Sequence, residues 1–321
     1  MRILWVDGYG ARIGSRQGAI YVRDGENETL IPTSDVDVVV VASGGVSISS
    51  QALRRMLGAG IELVVLDPRG MPVGTLFLSY YTRTPTTRRA QYEAYMSDHA
   101  TRIIWSIVEG KLWNQACAIR ELYSGQRFLR ETEERIKGVI TASESERKAL
   151  DGLDEVRRRA MRVEAWGARE YWGAISRLLP ARLGFTGRDN TAGDPVNAAL
   201  NYGYGILYSL AFRELALAGL DPYAGFLHVD RSGRPVLVYD FVELFRALAV
   251  DLPLIKLFLK GWKPELREGL LSHESRRKIA SEIVDRLRKR RIEQAMRSSA
   301  LSLARSLRER RDWRPWRGCR S

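Results

Sequence analysis

Only three histidines occur in the chain, His99, His228 and His273, and His228 stands in the setting best suited to chemistry. It follows the apolar stretch Gly225-Phe226-Leu227 and precedes a charged turn from Asp230 to Pro235. Beyond Val236 to Val238 comes Asp240-Phe241-Val242-Glu243. In a helix, Asp240 and Glu243 share a face one turn apart. An imidazole and two carboxylates on neighbouring elements suit a hard or borderline divalent ion. Glu164 offers a further carboxylate within Arg162-Val163-Glu164-Ala165-Trp166-Gly167-Ala168-Arg169, where small neighbours let another helix, or a nucleic acid, come close. Taken alone these signals are weak. An acidic pair at this spacing is ordinarily a solvated helix face, a lone histidine beside a charged loop is ordinarily no ligand, and nothing in the spacing brings Glu164 to His228.

Other chemistries find less support. Gly8-Tyr9-Gly10-Ala11-Arg12-Ile13-Gly14 lacks the spacing of a dinucleotide fingerprint, and no clear helix follows whose N-terminus would hold a phosphate. These read as turn glycines. No Gly-Lys-Ser/Thr phosphate loop is present, which argues against ATP-driven chemistry. Cys117 and Cys319 are the only cysteines, too few for a disulfide framework or a thiolate metal site. Cys117 is expected in the core and Cys319 exposed in the tail.

The elements that must position these groups change character along the chain. Up to about residue 80, short β-branched or aromatic runs alternate with turn residues: Ile3 to Val6, Ala19 to Val22, Thr29 to Ile31, Val36 to Val41, Ile61 to Leu66 and Val73 to Phe77. Arg23 to Asn27 reads as a hairpin turn. One helix interrupts the strands, capped by Ser49 or Ser50 and ended by Gly58 and Gly60. Residues 81–87, with Pro85 and several threonines, read as a linker. From residue 88 the period becomes helical, with Ile103, Ile104, Ile107, Leu112 and Trp113 marking one long helix. The expected fold is α+β: a small β-rich domain (1–80), then a larger all-helical domain (88–321).

Net charge is +13, and its distribution is uneven. From Ser272 to Ser321 there are 16 Lys/Arg against 6 Asp/Glu, a net of +10 that leaves only +3 for the rest. A basic segment of this kind favours a polyanion, nucleic acid first. Arg276 to Arg297 reads as one amphipathic basic helix, with Ile279, Ile283, Leu287, Ile292 and Met296 on its packing side. Trp166 is expected in the core. Trp313 and Trp316 alternate with arginines in a tail whose role the sequence leaves open. No apolar run is long enough to span a bilayer, and Met1-Arg2-Ile3-Leu4-Trp5 does not resemble a signal peptide. A cytoplasmic protein with no membrane contact is expected.

Several of these segments, in this order, resemble the CRISPR-associated spacer-acquisition integrase family. Ile61 to Gly70 resembles the end of that family's β domain, and Arg88-Arg89-Ala90-Gln91-Tyr92 the start of its first long helix. Glu164 to Trp172 resembles its glutamate motif, although a glycine often stands there in place of Ala165. Asn197 to Tyr204, Ala218 to Pro222, Gly225 to His228, Asp240 to Arg246 and Arg276-Arg277-Lys278-Ile279 complete the series. The resemblance spans most of the chain and weakens after about Arg308.

The resemblance implies that Glu164, His228 and Glu243 hold a magnesium or manganese ion. Asp240 would act as a further ligand or support one from behind. Arg88, Arg89, Arg276, Arg277 and Lys278 would contact DNA. It implies a metal-dependent DNA endonuclease and integrase that joins the 3′-hydroxyl of a short duplex to a phosphodiester of a CRISPR repeat, in antiviral defence. The protein would act on double-stranded and branched DNA, as a homodimer through the β-rich domain, beside a small ferredoxin-like CRISPR-associated partner. Three other readings stay open: a metal-dependent branched-DNA nuclease in repair, a catalytically inactive DNA-binding scaffold, and an RNA-binding structural protein.

Overall fold

A computed structural model describes residues 2–76, 85–147, 152–191 and 193–319. The chain is α+β, with strands first and helices after. The strands are β1 (Ile3–Val6), β2 (Arg12–Arg16), β3 (Ala19–Asp24), β4 (Asn27–Ile31), β5 (Val38–Val41), β6 (Ser47–Ile48), β7 (Glu62–Leu66) and β8 (Pro72–Leu76). They build two four-stranded sheets, ordered β1-β5-β7-β8 and β4-β3-β2-β6. β5 pairs in parallel with both β1 and β7. All four of its valines are buried, as an interior parallel strand covered on both faces requires. Val39 and Val41 face the second sheet and α1 (Ser50–Gly58), whereas Val38 and Val40 pack beside Ile3 and Trp5. Trp5 then meets Tyr202 edge to face, which carries the contact into the helical part.

Local chemistry accounts for the boundaries. Ser49 caps α1 by accepting from the Ala52 amide at 3.2 Å. The hairpin between β3 and β4 turns through Gly25 at φ 60°. β2 and β6 lie where no strand is expected, because Arg12-Ile13-Gly14-Ser15-Arg16 and Ser47-Ile48 lack a β-branched run. Of the expected linker, residues 81–84 lie outside the described residues, as does Phe77 of the last expected strand. Residues 85–87 already belong to α2 (Pro85–Tyr95).

The helices continue with α3 (Asp98–Leu122), α4 (Arg127–Glu146), α5 (Leu153–Leu178), α6 (Pro195–Leu217) and α7 (Val236–Val242). A π-helical turn, Ala247–Asp251, runs into α8 (Leu252–Leu259). A two-residue-per-strand hairpin, β9 (Leu266–Arg267) and β10 (Leu270–Leu271), precedes α9 (His273–Lys289) and α10 (Ile292–Glu309). α3, α4 and α5 pack on one another, and α6 packs on α7, α9 and α10. Among the described residues no helix is long and apolar enough to cross a membrane.

Two expectations are corrected here, and the path of the tail, which the sequence left open, is set. The basic segment is two helices, not one. It breaks at Arg290 and Arg291, with Arg291 at φ 52°, so Ile279, Ile283 and Leu287 pack from α9 while Ile292 and Met296 pack from α10. The tail after α10 is not loose. It runs back alongside α3, where Ser106 donates to the Trp313 carbonyl and Asn114 donates to the Trp316 carbonyl, both at 3.0 Å. Trp313 is buried, and Trp316 stacks on Phe245 with ring centroids 4.9 Å apart. The two cysteines, 202 residues apart, form a disulfide with a Cα–Cα distance of 6.0 Å. Cys319 is thus half-buried and bonded rather than exposed. No sequence spacing foretells this, since only the path of the tail along α3 brings it to Cys117.

Candidate metal centre and its cleft

Glu164 lies in the middle of α5, facing α3. Gly167, one turn on, makes that approach possible: a Cβ there would stand 2.2 Å from Leu112 Cδ2. The neighbour of Leu112 is Lys111, whose ammonium contacts Glu164 Oε1. The same ammonium lies 2.7 Å from Glu243 Oε2. Glu243 caps the C-terminus of α7 and is buried. Its other oxygen pairs with Arg246. Two carboxylates from separate helices therefore meet on one buried cation.

The electrostatics of Glu243 follow from this. Burial alone would push its carboxyl up, but Arg246 and Lys111 outweigh burial and hold it at about 2. Burial would likewise depress Lys111, and Glu243 and Glu164 reverse that and raise it. Arg246 is fixed by a second set of contacts. It donates to the Tyr208 hydroxyl at 2.5 Å and lies over the Tyr204 ring at 4.7 Å. The Tyr204 hydroxyl donates to Asp251 at 2.6 Å, and that of Tyr171 donates to the same carboxylate at 3.2 Å. Burial pushes the Asp251 carboxyl up to about 6, against these two hydrogen bonds.

His228 is held by Asp240. The imidazole Nδ1 lies 2.6 Å from Asp240 Oδ1, which also accepts the His228 amide at 3.1 Å. Oδ2 accepts the amides of Phe226 and Leu227 at 2.7 and 2.9 Å. Four hydrogen bonds occupy the lone-pair directions of this fully buried carboxylate. With Nδ1 turned to a carboxylate, Nε2 is the nitrogen left to accept or to bind a cation. The hydrogen bond that Nδ1 donates to Asp240 raises the imidazole pKa against the opposing effect of burial. Gly225 permits this wrapping, since a Cβ there would stand 2.4 Å from Val236 Cγ1 and 3.0 Å from Asp240 Oδ2. The loop is pinned from outside as well. Buried Arg157, on α5, donates to the Phe226 carbonyl at 2.8 Å, and Gln91, on α2, donates to the Ala224 carbonyl at 2.8 Å.

Glu164 and Glu243 are thus joined through Lys111 and His228 through Asp240, and the charges of Glu243 and His228 favour one another. Among the described residues no three His, Cys, Asp or Glu side chains are gathered as a ready metal cage. Lys111 stands between the two glutamates instead. A cleft of about 420 Å³ opens here, lined by Lys111, Glu164, Arg169, Arg188, Glu243 and Arg246 among others. The DNA contacts expected from the sequence lie elsewhere. Arg88 and Arg89 are on α2 and Arg276, Arg277 and Lys278 on α9, and none of them lines this cleft. Trp166, expected in the core, is 53% exposed next to the cleft-lining Ala165, on a side of α5 where Arg162, Ala165 and Arg169 are exposed too.

Sequence reasoning missed Lys111, Arg157, Arg188, Tyr204 and Asp251. Lys111 left no signal, since a lysine inside an apolar helical run reads as a solvated position. Asp251 alone left a weak signal, an acid inside the apolar run from Ala247 to Leu254 that must find partners when buried. Arg157 and Arg188 stand among other polar and charged residues, and Tyr204 is ordinary in a helix.

A family model described as CRISPR associated protein Cas1 matches residues 4–285. The chain is 35% identical to the CRISPR-associated endonuclease Cas1 of Hyperthermus butylicus, covering 98% of each chain. It is 38% identical to a CRISPR-associated endonuclease Cas1 of Pyrobaculum aerophilum, covering 87% of this chain and 90% of that one. Among solved structures, a casposase bound to integration product superposes with a TM-score of 0.79 at 21% identity, over 100% of this chain and 96% of that one. A chain of a Cas6-RT-Cas1–Cas2 complex superposes with a TM-score of 0.78 at 21% identity, over 99% of this chain and 36% of that one. At such identities the structural likeness speaks for the fold alone.

Proposed function

Because the chain belongs to the Cas1 family of CRISPR-associated proteins, we propose that it is a metal-dependent DNA endonuclease and integrase. Its reaction joins the 3′-hydroxyl of a short DNA fragment to a phosphodiester of a CRISPR repeat, with hydrolysis when water attacks instead. One observation carries the reading: Glu164 and Glu243, from different helices, converge on a single cation in a cleft rimmed by arginines.

The donor set fits magnesium or manganese. Glu164, Glu243 and the Nε2 of His228 would hold the ion, two hard oxygens with one borderline nitrogen. Such an ion, when bound, neutralises charge on the phosphoryl oxygens and lowers the pKa of the attacking hydroxyl. The chain's own residues do the rest. Glu243, held at about 2, stays anionic across the physiological range. Asp240 acts from behind, fixing the tautomer and direction of His228 rather than touching the ion. Arg169 and Arg188 face the cleft and offer phosphate contacts. One phosphodiester replaces another, so the exchange needs no nucleotide, in keeping with the missing phosphate loop.

The proposal extends to assembly. The β-rich part would pair two copies, the dimer would act with a small partner such as the Cas2 of the solved complex, and the protein would work in the cytoplasm. The deciding assay uses branched DNA with a labelled strand, in manganese and in EDTA, for wild type, His228→Ala and Glu164→Ala. Strand transfer and cleavage by wild type in manganese alone, with both variants inactive yet still binding DNA, supports the reading. Variants as active as wild type put the site elsewhere, and a wild type that binds without cutting favours the scaffold.

A further inference from the structure

Lys111 has no part in the reaction as proposed, yet it occupies its centre. The ammonium contacts Glu164 and lies 2.7 Å from Glu243, with only 14% of the side chain exposed. Counted locally, Lys111 and Arg246 balance Glu164 and Glu243. Without Lys111, two carboxylates would face each other with Arg246 paired to Glu243 only, and like charges at this range repel. With a divalent ion on the same two carboxylates, the ammonium would face a doubly charged cation, and that too is repulsive. Lys111 therefore suits the metal-free site and opposes the filled one.

Its attachment allows only one kind of response. The backbone of α3 is fixed at this turn, by Leu112 packed under Gly167 and by Asn114, which donates to the Leu244 carbonyl at 2.7 Å. The four-carbon stem has rotatable bonds that the backbone lacks, and a lysine is a compact point charge that needs no fixed fork of partners. The cleft that Lys111 lines is open on that side.

We propose that Lys111 is a resident cation that holds Glu164 and Glu243 in place before the divalent ion arrives, and that the ion displaces its ammonium into the cleft, toward the phosphate. The proposal rests on the metal site assigned above. In this scheme the lysine spares the empty site the repulsion of two facing carboxylates, at the cost of competing with the ion.

Calorimetric titration with manganese tests it on Lys111→Met and Lys111→Arg. The neutral variant binds manganese more tightly than wild type, on the order of tenfold, and melts lower in EDTA. Manganese then raises its melting temperature by more than it raises that of wild type. The arginine variant, which keeps the charge, shows no such gain in affinity. A second measurement needs no variant: amine labelling of wild type, read at Lys111 by peptide mass spectrometry, is low in EDTA and rises severalfold with manganese. An affinity unchanged or weakened in Lys111→Met, or labelling indifferent to manganese, overturns the proposal. A different result separates the underlying reading: if wild type shows no saturable manganese binding, or binding that survives Glu164→Gln with Glu243→Gln, the metal site itself is wrong.

Discussion

Reducing the wild-type protein, or replacing Cys319 with serine, removes a covalent link that closes a loop of 202 residues. The noncovalent seating of the tail remains, because Trp313 is buried, Trp316 stacks on Phe245, and the Gly318 amide donates to Asn114 at 2.8 Å. The loss is therefore felt chiefly in the unfolded chain, which gains the freedom that the cross-link denied it. The chain-entropy relation for a loop of this length gives about 18 cal/mol/K, or about 5 kcal/mol at 25 °C. Unfolding entropy near 2.1 cal/mol/K per residue amounts to roughly 0.7 kcal/mol/K for the whole chain. The expected fall in melting temperature is then about 8 °C. Thermal melts followed by circular dichroism, with and without reductant, read it directly. Wild type drops on reduction, whereas Cys319→Ser melts at the reduced temperature in either condition. The reasoning fails if reduction moves the wild-type transition by less than about 1 °C, or if thiol titration of untreated, unfolded protein finds two free cysteines.

Asp240→Asn keeps the size of the side chain but removes the carboxylate from His228 Nδ1. Manganese affinity should fall about 10- to 100-fold, read by calorimetry; an unchanged affinity would show that the His228 orientation does not matter. Glu62, at the start of β7, lies 3.1 Å from Arg213 of α6, and burial pushes its carboxyl to about 8, against the pull of Arg213. Between the ordinary glutamate range and pH 8 the folded chain keeps a proton that the unfolded chain releases, so stability falls as pH rises through that window, by up to a few kcal/mol. Glu62→Gln should flatten this slope and exceed wild type in stability at pH 8 in denaturant titrations; a variant with the wild-type slope assigns the dependence to another group. Gly167→Ala drives a Cβ into Leu112, where it would stand 2.2 Å from Cδ2. It should cost about 1–3 kcal/mol of stability and most strand-transfer activity, since pushing α5 off α3 moves Glu164 away from Glu243. Normal stability with normal activity would show that the helices separate without consequence.

Much of the fold was legible because its signals are local. Ser49 caps its helix, and the Val38–Val41 run is buried. These depend on residues within a few positions of each other. The strands that were missed, Arg12–Arg16, Ser47–Ile48 and the short hairpin of Leu266–Arg267 with Leu270–Leu271 inside the part expected to be all-helical, owe their state to pairing partners and not to their own composition. The basic helix was read as continuous because its apolar period runs on past Arg290, while the break lies in the backbone of Arg291.

For the site, residue types and order named the four candidates, and the family resemblance named their roles. Asp240 and His228 are near enough in sequence for a loop and a short helix to join them. Whether Glu164 meets Glu243 was beyond reach, because α5 and α7 are far apart in sequence and the two carboxylates meet only in space, on Lys111 of α3. The same holds for Lys111, whose burial between the glutamates depends on the absence of a side chain at Gly167. It holds again for the disulfide, which exists because the tail happens to follow α3. Sequence alone determined the strands and helices whose signals are local, and which side chains have the chemistry for a divalent ion, since backbone preference and donor type are properties of residues. Tertiary structure alone decided which charges face one another, since the energy of a charge depends on distance and burial, and neither can be read along the chain.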